Sequence, residues 1–245
     1  MMIKNNIIIL FKLTFLFILC GCAHKSGHKP QNIKNQVNRA EHVHQNCAVE
    51  IKDHKRDAIR FEGKDIFQKY SSAVFMVYTS NGFQGYQGSG FFINGSGLAV
   101  SNYHVFKGTN VGAEQIKLPG SDVPYNITKV IASSEEFDFI LFQTNCTNTN
   151  YIPIAKDKPC IGEKVYAIGS PRGLENTFSS GEVSQWRDNN LMQISALIDH
   201  GSSGGALINE YGEVIGITSG SFYDGSQANL NYAWSIDVIK SYINN

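Results

Sequence analysis

Short apolar runs, separated by turn-forming residues, follow one another along most of this chain. They recur at intervals of roughly ten residues, a spacing typical of strands in all-β proteins, and glycine, asparagine, aspartate and proline stand between them. The runs are AVFMVYT, GSGFFI, GLAVS, ITKVIA, FDFILFQ, KVYAIG, TFSSGEVSQW, LMQISALI, GEVIGITSG and LNYAWSI. No helical segments alternate with them, so the pattern predicts an all-β sandwich or barrel rather than a parallel α/β sheet.

Two short helices are predicted, one at each end of this β-rich region. GKDIFQKY, before the first run, has the spacing of an amphipathic helix. SIDVIKSYIN, at the end, has apolar residues at helical spacing after Ser235, a suitable N-cap residue. Between the helices, TNCTNTNYIPIAKDKPCIG is polar and poor in strand formers. This segment fits a crossing between two β units, with a boundary near 146–160.

The N-terminus has the features of an export signal. Lys4 provides a positive charge, and the apolar stretch from Ile7 to Leu19 is shorter than a comfortable membrane span. The sequence LCGC follows, in which Cys22 fits a bacterial lipobox and Cys20 fits less well. We expect a signal peptide over 1–21, lipidation of Cys22 and attachment to a membrane of the bacterial cell envelope. An ordinary secretory signal or an uncleaved anchor would also export the protein.

Residues 22–59 read as a polar, flexible tether, because they are rich in Asn, Gln, Lys and His. His42, His44 and Cys47 lie close together there, but no second cluster with zinc spacing accompanies them. We therefore expect neither a metal nor another cofactor. The 21 basic and 21 acidic residues balance, so a nucleic-acid partner is not expected.

The cysteines that remain after export are Cys47, Cys146 and Cys160. An exported protein can form disulfides, and Cys146 and Cys160 flank a short loop, so a bridge between them is one interpretation. Free buried thiols are the other, and the sequence does not decide between them.

The stretch IDHGSSGGALIN, from Ile198 to Asn209, holds two adjacent serines among glycines and between strand-like runs. GSSGG also fits the nucleophile elbow of α/β-hydrolases, but those enzymes need a histidine after the serine. The last histidine here is His200, so that interpretation fails. The Asp-His-Ser order of subtilisin would need an early aspartate, and the early ones lie in the tether and the first helix, at positions 53, 57 and 65.

The order that remains is His104, Asp138 and Ser203, each beside a predicted strand. Four blocks around these residues resemble the trypsin-like serine proteases, and the HtrA/DegP branch most closely: GSGFFINGSGLAVSNYHVF, EEFDFILFQT, GEKVYAIGSPRGLENTFSSGEVS and DHGSSGGALINEYGEVIGI. They cover about 71–239. The resemblance implies a double six-stranded β-barrel over 60–245, with a catalytic cleft between the barrels.

The resemblance also implies roles for individual residues. Ser203 would be the nucleophile, His104 the general base, and Asp138 the group that orients the imidazole. The N–H groups of Gly201 and Ser203 would form the oxyanion hole. Ser202, in the variable position before the nucleophile, stays open as an alternative reactive serine.

Specificity is predicted from the residue six positions before the nucleophile, which in trypsin is an acid that binds Arg or Lys. Here it is Leu197, so we expect cleavage after apolar residues. Trp234 is expected either to narrow the same pocket or to lie in the core. Ser202 stands where digestive proteases carry an aspartate that pairs with a new N-terminus, so that activation route is not expected. The chain ends at Asn245, so we expect no PDZ domain, and the oligomeric state stays open.

These features predict an exported, lipid-anchored serine endopeptidase that acts on protein or peptide substrates. Two alternatives are kept. One is a catalytically silent homologue that serves as a binding or scaffold module. The other is a secreted protease similar to glutamyl endopeptidases, with which SNYHV is also compatible.

Overall fold

Two closed antiparallel barrels of six strands each form most of the described protein. The computed structural model describes residues 59–109, 112–170, 173–174, 176–222 and 230–243. The predicted signal peptide, Cys22, and the tether up to residue 58 lie outside the described residues. The predicted fold class, a double six-stranded β-barrel, is confirmed.

The first barrel closes in the order β1-β2-β3-β6-β5-β4. Its strands are β1 (Val74–Ser80), β2 (Gly85–Phe92), β3 (Leu98–Ser101), β4 (Gln115–Lys117), β5 (Pro124–Ser134) and β6 (Phe139–Thr144). A 3₁₀ turn, Tyr103–Val105, follows β3. The non-local pairing of β3 with β6 brings the end of β3 beside the start of β6.

The second barrel closes in the order β10-β11-β12-β9-β8-β7. Its strands are β7 (Lys164–Gly169), β8 (Thr177–Trp186), β9 (Leu191–Ile194), β10 (Ala206–Asn209), β11 (Val214–Phe222) and β12 (Leu230–Ser235). The polar segment between the barrels contains only one isolated bridge, from Ile154 to Val214, among the residues described.

Each barrel has its own apolar core, and a third cluster joins the two barrels. The first barrel encloses side chains such as Phe75, Phe92 and Phe142, and the second encloses residues such as Met192 and Leu207. The shared cluster takes side chains from both barrels and both helices; among them are Phe91, Leu141, Tyr166, Ile168, Ile66 and Ile239. Burying apolar surface from both barrels in one cluster holds them together.

The two predicted helices are present. Helix α1 spans Gly63–Tyr70, as the pattern predicts, and buries Ile66 and Tyr70. Helix α2 spans Asp237–Ile243, just after the predicted N-cap residue Ser235. Ser235 is the last residue of β12 and pairs with Gly216, and this ladder keeps it out of the helix. Its hydroxyl still accepts a hydrogen bond from the Asp237 N–H at 3.3 Å.

The segment before the first barrel is fastened to the second. The Phe61 N–H donates to the Glu210 carbonyl at 2.7 Å, and Arg60 forms an ion pair with the Glu210 carboxylate at 2.9 Å. Helix α1 and a 3₁₀ turn, Ser71–Ala73, then lead into β1. The chain therefore contacts the second barrel before it enters the first.

The cysteines settle one question that the sequence leaves open. Cys146 is a free, buried cysteine, and Cys160 is disulfide-bonded. The bridge between Cys146 and Cys160 is therefore not formed. Burial raises the pKa of the Cys146 thiol, which keeps it protonated and unreactive at neutral pH.

Candidate active site

His104 and Asp138 come together because β3 and β6 are paired. His104 lies in the 3₁₀ turn just after β3, and Asp138 is the residue just before β6. Ser101 and Ile140 are partners across the two strands. Antiparallel pairing brings the end of one strand to the start of the other, so both side chains lie at one rim of the first barrel.

The Asp138 carboxylate accepts hydrogen bonds from His104 on both of its oxygens. His104 Nδ1 lies 2.8 Å from Asp138 Oδ2, and the His104 backbone N–H donates to Oδ1 at 2.9 Å. An ionised carboxylate can only accept, so Nδ1 must carry the proton. The other ring nitrogen, Nε2, is then left as an acceptor, which is the form that a general base needs. The His104 side chain is 46% exposed, so a substrate can reach it.

Two further residues hold Asp138 in place. Asp138 has a left-handed backbone with φ +45°, which costs energy for a residue that is not glycine. The buried Asn102 side chain donates from Nδ2 to the Asp138 carbonyl at 2.7 Å. Ser219, from β11 of the second barrel, donates from Oγ to Asp138 Oδ2 at 2.6 Å. The carboxylate is therefore fixed from both barrels.

The candidate nucleophile Ser203 lies in the loop that leads into β10, residues 199–205, called here the serine loop. Hydrogen bonds to backbone groups hold this loop. The Ser202 N–H donates to the Asp199 carbonyl at 2.9 Å, and the Gly204 N–H donates to the Thr218 carbonyl at 2.7 Å. The Ser203 carbonyl accepts from the Ser89 N–H at 2.8 Å. Ser203 is thus tied to the first barrel through its backbone.

The glycines of the serine loop are required by space. A Cβ at Gly204 would lie 2.2 Å from the Ser89 carbonyl oxygen and 2.4 Å from Ser101 Oγ, and its φ is +87°. A Cβ at Gly205 would lie 2.5 Å from the Ile168 carbonyl oxygen. Any side chain at these positions would push the loop away from its neighbours. GSSGG is therefore a packed turn between the barrels, not a linker.

Ser202 and Ser203 differ in exposure and in neighbours. Ser202 is buried, at 8% exposure, while Ser203 is partly exposed. A Cβ added at Gly220 would lie 3.8 Å from Ser203 Oγ, and Gly220 directly follows Ser219, which contacts Asp138. The Ser203 hydroxyl and the Asp138 carboxylate therefore both lie next to one short stretch of β11, at Ser219 and Gly220.

The backbone of the serine loop also directs the predicted oxyanion donors. The Ser202 carbonyl accepts a hydrogen bond from Oγ1 of the buried Thr218 at 2.7 Å. C=O and N–H of one trans peptide point in opposite directions, so the Ser203 N–H points away from the Thr218 hydroxyl. The bond from Ser202 to Asp199 closes a turn in which Gly201, at φ +91°, is the third residue. A positive φ there is typical of a type II turn.

Of the two residues predicted to line a specificity pocket, Leu197 is placed differently from expectation. Leu197 is 65% exposed, which does not fit the floor of a buried pocket. Its neighbours Ala196 and Ile198 face the core of the second barrel, so Leu197 points outward. Trp234 likewise points away from that core, because Ala233 points into it, and its ring meets Phe137 edge to face at 5.9 Å. Trp234 is therefore a contact between the barrels.

Comparison with known proteins decides the family. A family model described as trypsin-like peptidase domain matches residues 88–217. The chain belongs to the trypsin-like peptidase family. The match runs from β2 into β11 and so includes His104, Asp138 and Ser203. Within this family, the resemblance to the HtrA branch seen in the sequence is confirmed by the relatives that follow.

This trypsin-like peptidase is similar to HtrA/Do-like serine proteases from bacteria, mitochondria and chloroplasts. It is 34% identical over 166 residues to the "Probable serine protease do-like" of Buchnera aphidicola subsp. Acyrthosiphon pisum, covering 63% of this chain and 34% of that protein. It is 32% identical over 169 residues to the mitochondrial serine protease HTRA2 of Drosophila grimshawi, covering 64% of this chain and 38% of that protein. The chain thus spans about a third of the length of the curated relatives it matches.

A solved structure shares the fold as well. The serine endoprotease from Yersinia pestis matches with a TM-score of 0.66 and 26% identity. The match covers 75% of this chain and 65% of that one.

Sequence reasoning missed three residues of the site: Asn102, Ser219 and Ser89. Asn102 and Ser219 contact Asp138, and Ser89 contacts the serine loop. Small polar residues in strands or just after them are ordinary, so the residue type gives no signal. Only closeness in sequence to an already predicted residue does, as for Asn102 before His104. Across the described residues, no group of three or more His, Cys, Asp or Glu side chains is placed to hold a metal ion. The described helices include none long and apolar enough to cross a membrane.

Proposed function

We propose that this trypsin-like peptidase is a serine endopeptidase whose catalytic triad is His104, Asp138 and Ser203. The observation that carries the proposal is the pair of hydrogen bonds between His104 and Asp138, at 2.8 and 2.9 Å. That pair puts the proton on Nδ1 and leaves Nε2 as the base. Ser203 supports the proposal because it is the more exposed of the two serines and because its hydroxyl lies beside Gly220, the neighbour of the Ser219 that donates to Asp138.

The chemistry follows from these roles. When a peptide binds in the cleft, His104 Nε2 takes the proton of Ser203 Oγ as the oxygen attacks the scissile carbonyl carbon. The carbonyl oxygen becomes negative and accepts hydrogen bonds from the Gly201 and Ser203 N–H groups. Asp138 stabilises the imidazolium that forms. The imidazolium then gives its proton to the leaving amine, and an acyl-enzyme remains.

The second half repeats the first with water. His104 takes a proton from water as the water oxygen attacks the ester carbon of the acyl-enzyme. The tetrahedral species uses the same two N–H donors. Its collapse breaks the bond to Ser203 Oγ, which recovers its proton from the imidazolium, and releases the new carboxyl terminus. No cofactor is needed in any step.

Labelling with a fluorophosphonate probe tests the nucleophile. We expect the wild type to be labelled and Ser203→Ala to lose both labelling and peptide hydrolysis, the latter by roughly 10⁴-fold or more. Ser202→Ala is the matched control, because it removes the neighbouring hydroxyl and should keep activity. If Ser202→Ala is inactive while Ser203→Ala is active, the assignment is wrong. A folded wild type that takes up no label and cuts no peptide would favour the binding-module alternative.

We also propose that the enzyme cleaves after uncharged, apolar residues. The support is the apolar side chain of Leu197, which is exposed just before the serine loop. A basic side chain buried without a partner would be costly to bind. Profiling with a peptide library checks the preference, and cleavage mainly after Arg, Lys or Glu would contradict it.

Finally, we propose export and lipid anchoring through Cys22. The support is the apolar stretch ending in LCGC and the polar tether that follows it. Growth with a labelled fatty acid should label the wild type, and Cys22→Ala should lose the label and leave the membrane fraction. Unchanged labelling of Cys22→Ala would contradict lipidation at that residue.

A further inference from the structure

We infer that Ser89 is a positioning residue for catalysis: from the first barrel, its hydroxyl holds the oxyanion-forming turn of the second barrel. The inference rests on the proposed function, and it adds a residue that the triad does not include. Ser89 lies in β2 and is completely buried. Its Oγ donates to the Gly201 carbonyl at 2.7 Å.

Ser89 binds the serine loop at two points. Besides the hydroxyl bond to the Gly201 carbonyl, its backbone N–H donates to the Ser203 carbonyl at 2.8 Å. These two carbonyls belong to the same two residues whose N–H groups are the proposed oxyanion donors. One residue of the first barrel is therefore bonded to both ends of the tripeptide that must bind the developing negative charge.

The direction of the Ser89 hydroxyl is fixed by a second bond. The Ser170 N–H, just after β7, donates to Ser89 Oγ at 2.8 Å. A hydroxyl has one proton, and with an N–H pointing at its oxygen that proton is directed to Gly201. The Ser89 carbonyl in turn accepts from Ser101 Oγ at 2.7 Å. Each polar group of Ser89 is thus paired, which leaves it a single orientation.

The consequence for Gly201 follows from the turn geometry. The peptide group between Gly201 and Ser202 is held at its carbonyl by Ser89 and at its N–H by the Asp199 carbonyl. Without the Ser89 hydroxyl, the Gly201 carbonyl loses its bond to the first barrel, and Gly201 has no side chain to restrain it, so this end of the turn can move more relative to His104 although the backbone bonds to Asp199 and Ser203 remain. The base lies on one barrel and the donors lie on the other, so their spacing needs a tie across the interface. Misplacement by about 1 Å can cost about 10²-fold in rate.

The test compares Ser89→Ala with Thr144→Val. Both changes remove a buried hydroxyl from the first barrel, but Thr144 bonds to the Gly97 carbonyl, at the end of β6 away from Asp138. We expect Ser89→Ala to lower kcat by about 10- to 100-fold with KM within about twofold, because the donors act in the transition state. Affinity for a peptide boronate, which forms a tetrahedral adduct on the nucleophile, should fall by a similar factor. Thr144→Val should leave kcat, KM and the boronate affinity unchanged.

A measurement that does not depend on catalytic activity separates this inference from the proposed function. Hydrogen–deuterium exchange of the amides in 199–205 should be faster in Ser89→Ala than in the wild type and in Thr144→Val. If Ser89→Ala does not fold, Ser89→Cys keeps a side chain with the same number of heavy atoms and a weaker donor and should give the same faster exchange. Unchanged exchange, or equal losses of kcat in Ser89→Ala and Thr144→Val, would overturn the inference. An inactive wild type with faster exchange in the variant would instead contradict only the proposed function.

Discussion

The two barrels hold their parts of the candidate site in different ways. In the first barrel, the functional atoms of His104 and Asp138 are themselves bonded, and the Asp138 carboxylate accepts from His104 twice and from Ser219 once. In the second barrel, Ser203 is held through its backbone, with its carbonyl bonded to Ser89 and its neighbours bonded to Thr218.

The difference follows from the two chemical roles, which are to orient a base and to attack as a nucleophile. A carboxylate that orients a base must keep one geometry throughout, so every bond to it helps. A nucleophilic hydroxyl must remain available to its base and to the substrate, so its place has to be set by the main chain and by closely packed glycines. Substitutions in the first barrel should therefore reduce activity by removing hydrogen-bonding groups. Substitutions in the serine loop should reduce it by filling the space that its glycines leave for neighbouring atoms.

The largest effect is expected from Asp138→Asn. Asparagine offers one acceptor oxygen where the carboxylate receives bonds on two, and its amide nitrogen facing Nδ1 would favour the tautomer with the proton on Nε2. We expect kcat to fall by about 10⁴-fold with the fold intact. Steady-state kinetics and circular dichroism check this. A variant with near wild-type kcat would mean that Asp138 does not orient the base.

A smaller loss of activity, together with a loss of stability, is expected from Gly204→Ala. The new Cβ would lie 2.2 Å from the Ser89 carbonyl oxygen, and the alanine would have to adopt φ +87°. We expect kcat to fall by about 10²-fold and the free energy of unfolding to fall by about 3 kcal/mol.

Gly162→Ala is the matched control for that prediction. Gly162 has nearly the same φ, +85°, but nothing lies within 4 Å of its Cβ position. It should lose about 1 kcal/mol of stability from backbone strain and keep its kcat. Equal effects of the two variants, measured by denaturant unfolding and kinetics, would show that strain rather than packing explains the need for glycine in the serine loop.

An intermediate effect is expected from Ser219→Ala, which removes one of the three hydrogen bonds to the carboxylate. A hydrogen bond to a charged group contributes about 1.5–3 kcal/mol, and the bonds from His104 remain, so kcat should fall by about tenfold. Ser96→Ala, which removes a hydroxyl from the exposed turn before β3, is the control and should have no effect. A loss as large as that of Asp138→Asn would mean that the two barrels share the orienting role equally.

The smallest effect is expected from Arg60→Gln, in the segment fastened to the second barrel. The Arg60 side chain is 65% exposed, and exposed ion pairs contribute about 0–1 kcal/mol. We expect a change below about 0.5 kcal/mol in the free energy of unfolding and no change in kcat. A larger loss would show that this segment contributes to the contact between the barrels.

The sequence predicts the elements well where local pattern decides them. Helix α1 has the predicted bounds, and the alternating runs become strands. β4 was not predicted, because Gln115–Lys117 is only three residues long and contains a single apolar side chain, Ile116. Ser235 accepts from the Asp237 N–H as the predicted N-cap does, but its pairing with Gly216 in β12 is specified by no local pattern.

The site is predictable only in part, for a physical reason. His104, Asp138 and Ser203 follow from the order of chemical types and from the family resemblance. Ser89 and Ser219 act across the interface between the barrels, and their role depends on which strands close each barrel. Leu197 was predicted by counting back from Ser203, but the alternation of side chains along that segment turns it outward.

The attachment of Phe61 and Arg60 to Glu210 has a mechanical consequence. Glu210 directly follows β10, the strand that continues from the serine loop. A force applied to the chain before residue 59 would act first on the contact with Glu210. It would reach β3, next to His104, only after α1 had detached. Such a force would therefore strain the Ser203 side of the candidate site before the His104 side.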